Sequence, residues 1–225
     1  MKRIIIAIVA VALCAIPAIS GAAPPRPGGY VTGFLGASAL QDTDVTSVDN
    51  FDGTVFNDRV EFDPNIYVGG AGGYDFGMFR LEGEVSYKHG EVKAITNEDT
   101  GFRFRGVDGS LGALAVMANA FFDLHNNTPV TPYWGGGIGF AVLNLSDTLG
   151  NDDVGRVLLL PEDDATVFAY QAGGGLEIAI SPQLSLDLGY RYFGTTRATF
   201  DSDVFTTTKL KYESHNGMVG FRVKF

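Results

Sequence analysis

Cysteine is almost absent from this chain, in which Cys14 is the single example. Cys14 lies in an apolar N-terminal segment, so removal of that segment leaves the mature chain with no cysteine. A framework of disulfide bonds is therefore excluded, although the compartment of an exported protein would permit one. The bulky Leu13 immediately before Cys14 also argues against lipid attachment at this cysteine.

Positive charge is also scarce, and long apolar runs are missing after the N-terminus. The chain has 16 lysines and arginines against 26 aspartates and glutamates, which gives a formal net charge of −10. Nucleic-acid binding requires a basic surface, so we expect no nucleic-acid partner. The lack of a later apolar run excludes further membrane helices but leaves β-barrels, because their strands carry no such signal.

The N-terminus predicts a signal peptide. Lys2 and Arg3 precede an uncharged, largely apolar run at 4–19, and small residues follow. This order is typical of a cleavable secretory signal. A retained membrane anchor is the alternative, but a run of about 16 residues is short for a span of about 20. We expect a cleaved signal peptide at 1–22 and a Pro-rich periplasmic N-terminal segment at 23–28.

From residue 29 onward, apolar and polar residues alternate with a period of two, which indicates β-strands with two different environments. The clearest cases are 79–87, 184–192 and 219–225. Each predicted strand matches or exceeds the roughly 9–11 residues of a tilted transmembrane strand. The eight predicted strands are 29–40, 65–76, 78–92, 105–123, 131–146, 166–181, 183–199 and 208–225.

The connections between these strands alternate in length, and short turns at one end with long loops at the other are typical of outer-membrane barrels. Since an open sheet edge is too costly in lipid, the last strand should pair with the first. We therefore predict an all-β fold, an eight-stranded antiparallel transmembrane up-and-down β-barrel over 29–225. The short turns are 75–78, 123–130 and 181–183, and the long links are 41–64, 93–104, 147–165 and 200–207.

Charged residues of the strands lie mostly at the non-apolar positions of the alternation, which should face the barrel interior. An eight-stranded barrel is just wide enough to be filled by side chains, so we expect these charges to neutralise one another in a polar, nearly solid lumen. A catalytic pair of Glu82 and Glu84 is the alternative, but the interleaved arginines favour structural pairing. The predicted lumen charge network is Arg80, Glu82, Glu84, Glu177, Asp187, Arg191 and Arg222.

Most of the other acidic residues lie in the long links, and the three histidines are scattered. The acids, among them Asp42 and the pair at 152–153, are interpreted as solvated loop tips. A Ca²⁺ site is the alternative, although no EF-hand spacing is present. His89, His125 and His215 lack the spacing of metal ligands, so we expect no metal and no cofactor.

Four segments carry a resemblance to a known family: 119–123 (NAFFD), 131–140 (TPYWGGGIGF), 188–194 (LGYRYFG) and 214–225 (SHNGMVGFRVKF). With them the chain resembles the opacity-protein/OmpA-type family of small outer-membrane barrels, including the surface-antigen branch of alphaproteobacteria. The resemblance implies a location in the outer membrane of a Gram-negative bacterium, among lipids that include lipopolysaccharide. It also implies that Phe221, Val223 and Phe225 are the assembly signal for the barrel-assembly machinery.

The leading functional hypothesis is a non-enzymatic integral outer-membrane barrel. It would support envelope structure and present acidic surface loops for adhesion to, or interaction with, a host or environmental ligand. A narrow porin-like channel is the first alternative, and it needs a continuous water path through the lumen. A lipid-modifying enzyme would need a histidine such as His215 beside a serine or carboxylate near a membrane interface. A soluble periplasmic ligand-binding barrel would need apolar residues inside, which the charged positions oppose.

Overall fold

The computed structural model describes residues 27–225 apart from 50, 98–100, 102, 106, 147, 152–155, 161–162 and 201–205, so the predicted signal peptide lies outside the described residues. The described residues form fifteen β-strands, and no helix among them is long and apolar enough to cross a membrane. The strands are β1 (Gly28–Leu40), β2 (Thr43–Asp49), β3 (Val55–Phe62), β4 (Asn65–Asp75), β5 (Phe79–Asn97), β6 (Arg103–Arg105), β7 (Ser110–Asp123), β8 (Val130–Leu145), β9 (Thr148–Asn151), β10 (Arg156–Leu160), β11 (Asp163–Ala179), β12 (Leu184–Thr195), β13 (Ala198–Phe200), β14 (Thr206–Leu210) and β15 (Glu213–Lys224).

Eight of these strands form a closed ring of antiparallel pairs, in the order β1, β4, β5, β7, β8, β11, β12 and β15. β15 closes the ring on β1, where Tyr30 lies opposite Lys224. A path of paired residues that starts at Gly174 on β11 and passes once round the ring returns to β11 at Asp164, ten residues away. The strands are therefore staggered and tilted, as closure of a small barrel requires. The predicted eight-stranded antiparallel barrel is confirmed.

Near the short turns, the barrel strands direct apolar side chains outward and polar ones inward. On β5, Leu81 and Val85 are about half exposed, whereas Glu82 and Glu84 are buried. An apolar outer band bordered by aromatic rings suits a lipid surface. The outward rings beside the short turns are those of Tyr74, Phe76, Phe79, Phe122 and Trp134.

Glycines in the strands allow rings to approach the backbone closely. A Cβ at Gly69 would lie 2.5 Å from the Phe34 ring, and one at Gly175 would lie 2.6 Å from the Tyr133 hydroxyl oxygen. Both distances are too short for a real contact, so a side chain at either position would displace the ring or the strand. These glycines therefore serve close packing between rings and backbone.

The four long links contain strands that the sequence analysis did not assign. β2 and β3 form a hairpin, β14 pairs with β2, and β3 pairs with the far end of β5. Together with β13 and β6 they prolong the barrel wall, while β9 and β10 form a separate pair. Val45 and Val60 show why these segments become strands: their β-branched side chains favour extended backbone, and both are buried.

Two barrel strands begin five residues later than predicted. β7 begins at Ser110 rather than at 105, and β15 begins at Glu213 rather than at 208. The preceding residues 206–210 form β14, which pairs with β2, whereas β15 pairs with β12 and β1. The alternation of apolar and polar residues could not locate the boundary between β14 and β15, because a strand keeps its period of two when its partner strand changes.

Above the apolar outer band, the outer face of the wall becomes polar and the inner face becomes apolar. Beyond Tyr87, β5 directs His89, Glu91 and Lys93 outward and buries Val92 inside. The expected polar lumen therefore occupies only the half nearer the short turns, and the prediction is wrong for the other half. There the outer face meets water, so apolar residues are most stable in the interior. Those that fill the upper lumen include Leu111, Ala113, Ala115, Leu143, Val167, Ala169 and Phe193.

Candidate functional site: a buried charge network

All seven charged residues that the sequence assigns to the lumen lie inside the barrel, where each is 7% exposed or less. They reach the interior because they occupy alternate positions on the inner side of the pleat. The structure arranges them in two groups, one near the short turns and one at mid-barrel. β5 supplies Arg80, Glu82 and Glu84; β11 supplies Glu177; β12 supplies Asp187 and Arg191; and β15 supplies Arg222.

Glu177 is the centre of the group near the short turns. Its carboxylate forms ion pairs with Arg222, with Arg80 at 3.5 Å and with Lys224 at 3.3 Å. Buried charges are tolerated when they are paired in this way, since a lone buried ion carries a large desolvation cost. The three cations also have second carboxylates: Asp187 lies 2.7 Å from Arg222, Asp123 lies 3.0 Å from Arg80, and Asp75 lies 3.0 Å from Lys224.

Glu82 and Glu84 belong to the mid-barrel group and accept hydrogen bonds from several strands. The Tyr30 hydroxyl donates to Glu82 at 2.8 Å, and the Arg191 guanidinium lies 3.8 Å from the same side chain. These contacts make the two glutamates cross-strand acceptors and oppose the alternative of a catalytic pair. Glu84 accepts from Tyr67 at 3.2 Å, from Asn119 at 3.0 Å and from Gln171 at 2.9 Å.

Aromatic rings cover the buried cations of the mid-barrel group and of the level above it. The Arg191 guanidinium lies 4.3 Å from the centre of the Phe121 ring. Lys88 is fully buried, and its ammonium lies 3.8 Å from the Phe193 ring centre and 4.9 Å from that of Tyr67. Ring faces attract cations and so offset part of the lost hydration. Lys88 marks the border between the charged and the apolar halves of the lumen.

Three charged residues of the lumen were not predicted from the sequence: Asp75, Asp123 and Lys88. Lys88 could have been found, because it occupies the same alternate position on β5 as Glu84. Asp75 and Asp123 end their strands, and their positions beside short turns hid their burial. Of these, Asp123 pairs with Arg80, and Asp75 pairs with Lys224.

Arg80 and Arg222 are among the largest fully buried side chains of the described chain, so the network fills the lumen as well as linking strands across it. Within the described residues, no group of three histidine, cysteine, aspartate or glutamate side chains is placed to hold a metal ion. The arrangement can therefore join the wall and neutralise charge.

The predicted assembly signal lies on the outer surface of β15. Phe221, Val223 and Phe225 are 55%, 44% and 81% exposed, and all three point away from the lumen. Their side chains are therefore accessible to another protein or to lipid. Their recognition by the assembly machinery stays a prediction.

His215 lies on the outer face of β15 within an aromatic cluster. Its Nδ1 is 2.5 Å from the Tyr190 hydroxyl oxygen, and its Nε2 is 2.9 Å from the Gln41 amide nitrogen. The neighbouring Ser214 is fully buried on the other side of the wall. His215 therefore does not pair with Ser214, as a serine-dependent lipid-modifying site on this strand would require.

A closed ring of eight antiparallel strands with an apolar outer band, aromatic rims and a charged interior defines a small outer-membrane β-barrel. The family model described as "Outer membrane protein beta-barrel domain" matches residues 6–225, and the chain belongs to this family. The resemblance stated from the sequence motifs is thereby confirmed at the level of small outer-membrane barrels, as is the outer-membrane location in Gram-negative bacteria.

Two proteins and one solved structure show how far the similarity extends. The chain is 27% identical to outer membrane protein PagN of Salmonella typhimurium over 208 residues, which cover 85% of this chain and 86% of PagN. An uncharacterized protein of Brucella abortus is 40% identical over 81 residues, which cover 34% of this chain and 28% of that protein. The crystal structure of OprG from Pseudomonas aeruginosa gives a TM-score of 0.55 at 16% identity, over 88% of this chain and 96% of OprG. The structural likeness shows the fold alone.

Proposed function

We propose that this barrel is a non-enzymatic envelope protein whose extracellular strands present an acidic surface to a partner outside the cell. The observation that carries the proposal is the sheet β13-β14-β2-β3-β5-β6, which prolongs the wall above the lipid-facing band. A surface built on paired strands holds its side chains in fixed relative positions. Such a surface suits recognition better than separate loops do, because less conformational entropy is lost when a partner binds.

The exposed part of this extension carries carboxylates. The Asp42 and Asp63 side chains are 47% and 53% exposed, and each lies beside a cation, 3.9 Å from Arg59 and 3.2 Å from Lys93 respectively. Asp52 lies at the β2–β3 turn, where hydrogen bonds from Thr54 lower its pKa, so it is charged at neutral pH. Since the chain as a whole is acidic, the expected partner has a basic surface, and the attraction should weaken as salt increases.

Two further contacts support a structural and adhesive role over the other candidates. The packing of Arg80 and Arg222 across the lower lumen opposes a continuous water path. The contacts of His215 with Tyr190 and Gln41, together with the burial of Ser214, oppose serine-dependent lipid-modifying chemistry.

The test is adhesion of a non-adherent laboratory Gram-negative strain that displays the protein. Wild-type cells should attach to cultured epithelial cells in a salt-dependent manner. A variant with Asp42→Asn, Asp44→Asn and Asp63→Asn should lose most of this attachment. Lys93→Gln, which removes a cation from the same outer face, is the control and should attach at least as well as the wild type. Equal attachment of the triple variant and the wild type would overturn the proposal.

A further inference from the structure

A polar groove on the outer face of the wall has no part in the proposed adhesive surface or in the lumen network. Its volume is about 250 Å³. Gly112 of β7 forms its floor: the residues paired with it are His89 of β5 and Asn144 of β8. A Cβ at Gly112 would lie 3.3 Å from the Tyr87 hydroxyl oxygen and 3.8 Å from the Asn144 Cβ. The absence of a side chain at Gly112 therefore keeps the groove open.

The groove begins where the outer face of the barrel stops being apolar. Leu114 and Val142 pair with each other and lie one outward position nearer the membrane than Gly112 and Asn144. Leu114 is 44% exposed on the lipid-facing band. The groove therefore lies at the level of the lipid headgroups of the outer leaflet.

One wall of the groove is aromatic. The Tyr87 and His89 rings are nearly parallel, with 19° between their planes and 6.3 Å between their centres. Both residues are exposed on the outer side of β5. Such a wall offers a flat surface to a ligand with an apolar face.

The opposite side of the groove is formed by hydroxyl, amide and carboxylate groups. The Ser110 and Ser146 hydroxyl oxygens lie 3.2 Å apart, and the Asn144 amide donates to Asp164 at 2.5 Å. Hydroxyl and amide groups both donate and accept hydrogen bonds. No lysine or arginine lines the groove within the described residues, so it lacks the cations with which proteins bind phosphate.

We propose that this groove binds an uncharged sugar of a glycolipid in the outer leaflet. A sugar ring has a C–H face that packs on an aromatic wall and hydroxyls that pair with serine, asparagine and aspartate side chains. The acyl chains of the same molecule fit the apolar surface that begins at Leu114 and Val142. A free glycan has no acyl chain to contact that apolar surface, so we expect the bound sugar to belong to a glycolipid. This inference does not rest on the adhesive function, and either can fail without the other.

The experiment uses the full mature barrel in phosphatidylcholine nanodiscs, with rough lipopolysaccharide that carries a complete core, and therefore uncharged hexoses, as the probe and native mass spectrometry as the readout. Gly112→Leu fills the groove, and Asn144→Ala removes one polar group from an exposed position. Gly217→Leu is the matched control, because it places the same side chain on β15, on the opposite side of the ring, where a Cβ meets nothing within 4 Å. Folding of each variant is checked by its gel mobility with and without boiling.

Wild type and Gly217→Leu should retain the glycolipid with equal affinity, whereas Gly112→Leu should weaken binding about tenfold or more and Asn144→Ala severalfold. Unchanged binding by both groove variants would overturn the proposal. Loss of wild-type binding after removal of the probe's phosphates would also overturn it, because the recognised group would then be phosphate. Equal affinity for the free core oligosaccharide would assign the groove to a soluble glycan and overturn the glycolipid assignment.

Discussion

Replacement of Glu177 by glutamine should destabilise the barrel, because one buried carboxylate faces three cations. Glu177 of β11 contacts Arg80 of β5 and both Arg222 and Lys224 of β15. Glutamine keeps the shape of the side chain and removes its charge. The substitution therefore tests the ion pairs themselves rather than the packing of the lumen.

The expected magnitude follows from what remains around the three cations. Removal of one partner of a buried ion pair costs about 3–5 kcal/mol. Each cation retains a second carboxylate after the substitution, at 3.0 Å for Arg80, 2.7 Å for Arg222 and 3.0 Å for Lys224. The glutamine oxygen can also accept a hydrogen bond from one of them. We therefore expect the lower end of the range, a loss of about 3 kcal/mol in the free energy of unfolding.

The assay is equilibrium unfolding by urea in lipid vesicles, followed by the fluorescence of Trp134. This is the single tryptophan of the chain, and it is 57% exposed on the lipid-facing surface. With a denaturant dependence of about 1–3 kcal/mol per M, the midpoint should fall by about 1–3 M urea. Glu91→Gln, on the exposed outer face of β5, is the control and should change the free energy by less than about 0.5 kcal/mol. Equal midpoints for the two variants would refute a stabilising role of the network.

Two other substitutions test close packing and assembly. Gly175→Val should lower the free energy of unfolding by about 2–3 kcal/mol, because a Cβ there meets the Tyr133 hydroxyl oxygen at 2.6 Å. Gly83→Val, where a Cβ meets nothing within 4 Å, should be near neutral in the same urea assay. Phe225→Ala should reduce the amount of barrel inserted in the outer membrane of cells, measured by heat-modifiable gel mobility, while the purified barrel keeps its stability. Phe76→Ala, another exposed ring, should insert normally, and equal insertion of the two variants would contradict the assembly-signal role.

The period-two alternation predicted most of the barrel correctly for a physical reason. A strand between lipid and a filled lumen has two opposite environments, so each residue reports the face on which it lies. Leu81 and Val85 therefore lie outside, and Glu82 and Glu84 lie inside, as their positions predict. The number of barrel strands was predicted correctly because the local sequence marks each short turn between them.

The apolar half of the lumen could not be predicted from the same pattern. Glu84 and Val92 occupy equivalent inner positions on β5, yet one joins a charge network and the other an apolar core. What differs is the medium outside the wall, which changes from lipid to water along one strand. The pairing of Asp123 with Arg80 was also hidden, because these residues come together through the stagger of β5 and β7 and not through their spacing in the chain.

The two levels of packing in the lumen predict that the barrel does not conduct ions. Arg80 is fully buried at the lower level, and Phe193 is fully buried at the upper level, beside Lys88. A continuous water path needs an opening at both levels, so Arg80→Ala and Phe193→Ala should each remain silent in planar lipid bilayers. The double variant should give a measurable current if it retains its heat-modifiable mobility. Stable conductance steps from the wild-type barrel would contradict this reasoning and favour the narrow channel, because water would then cross a lumen in which both side chains are in place.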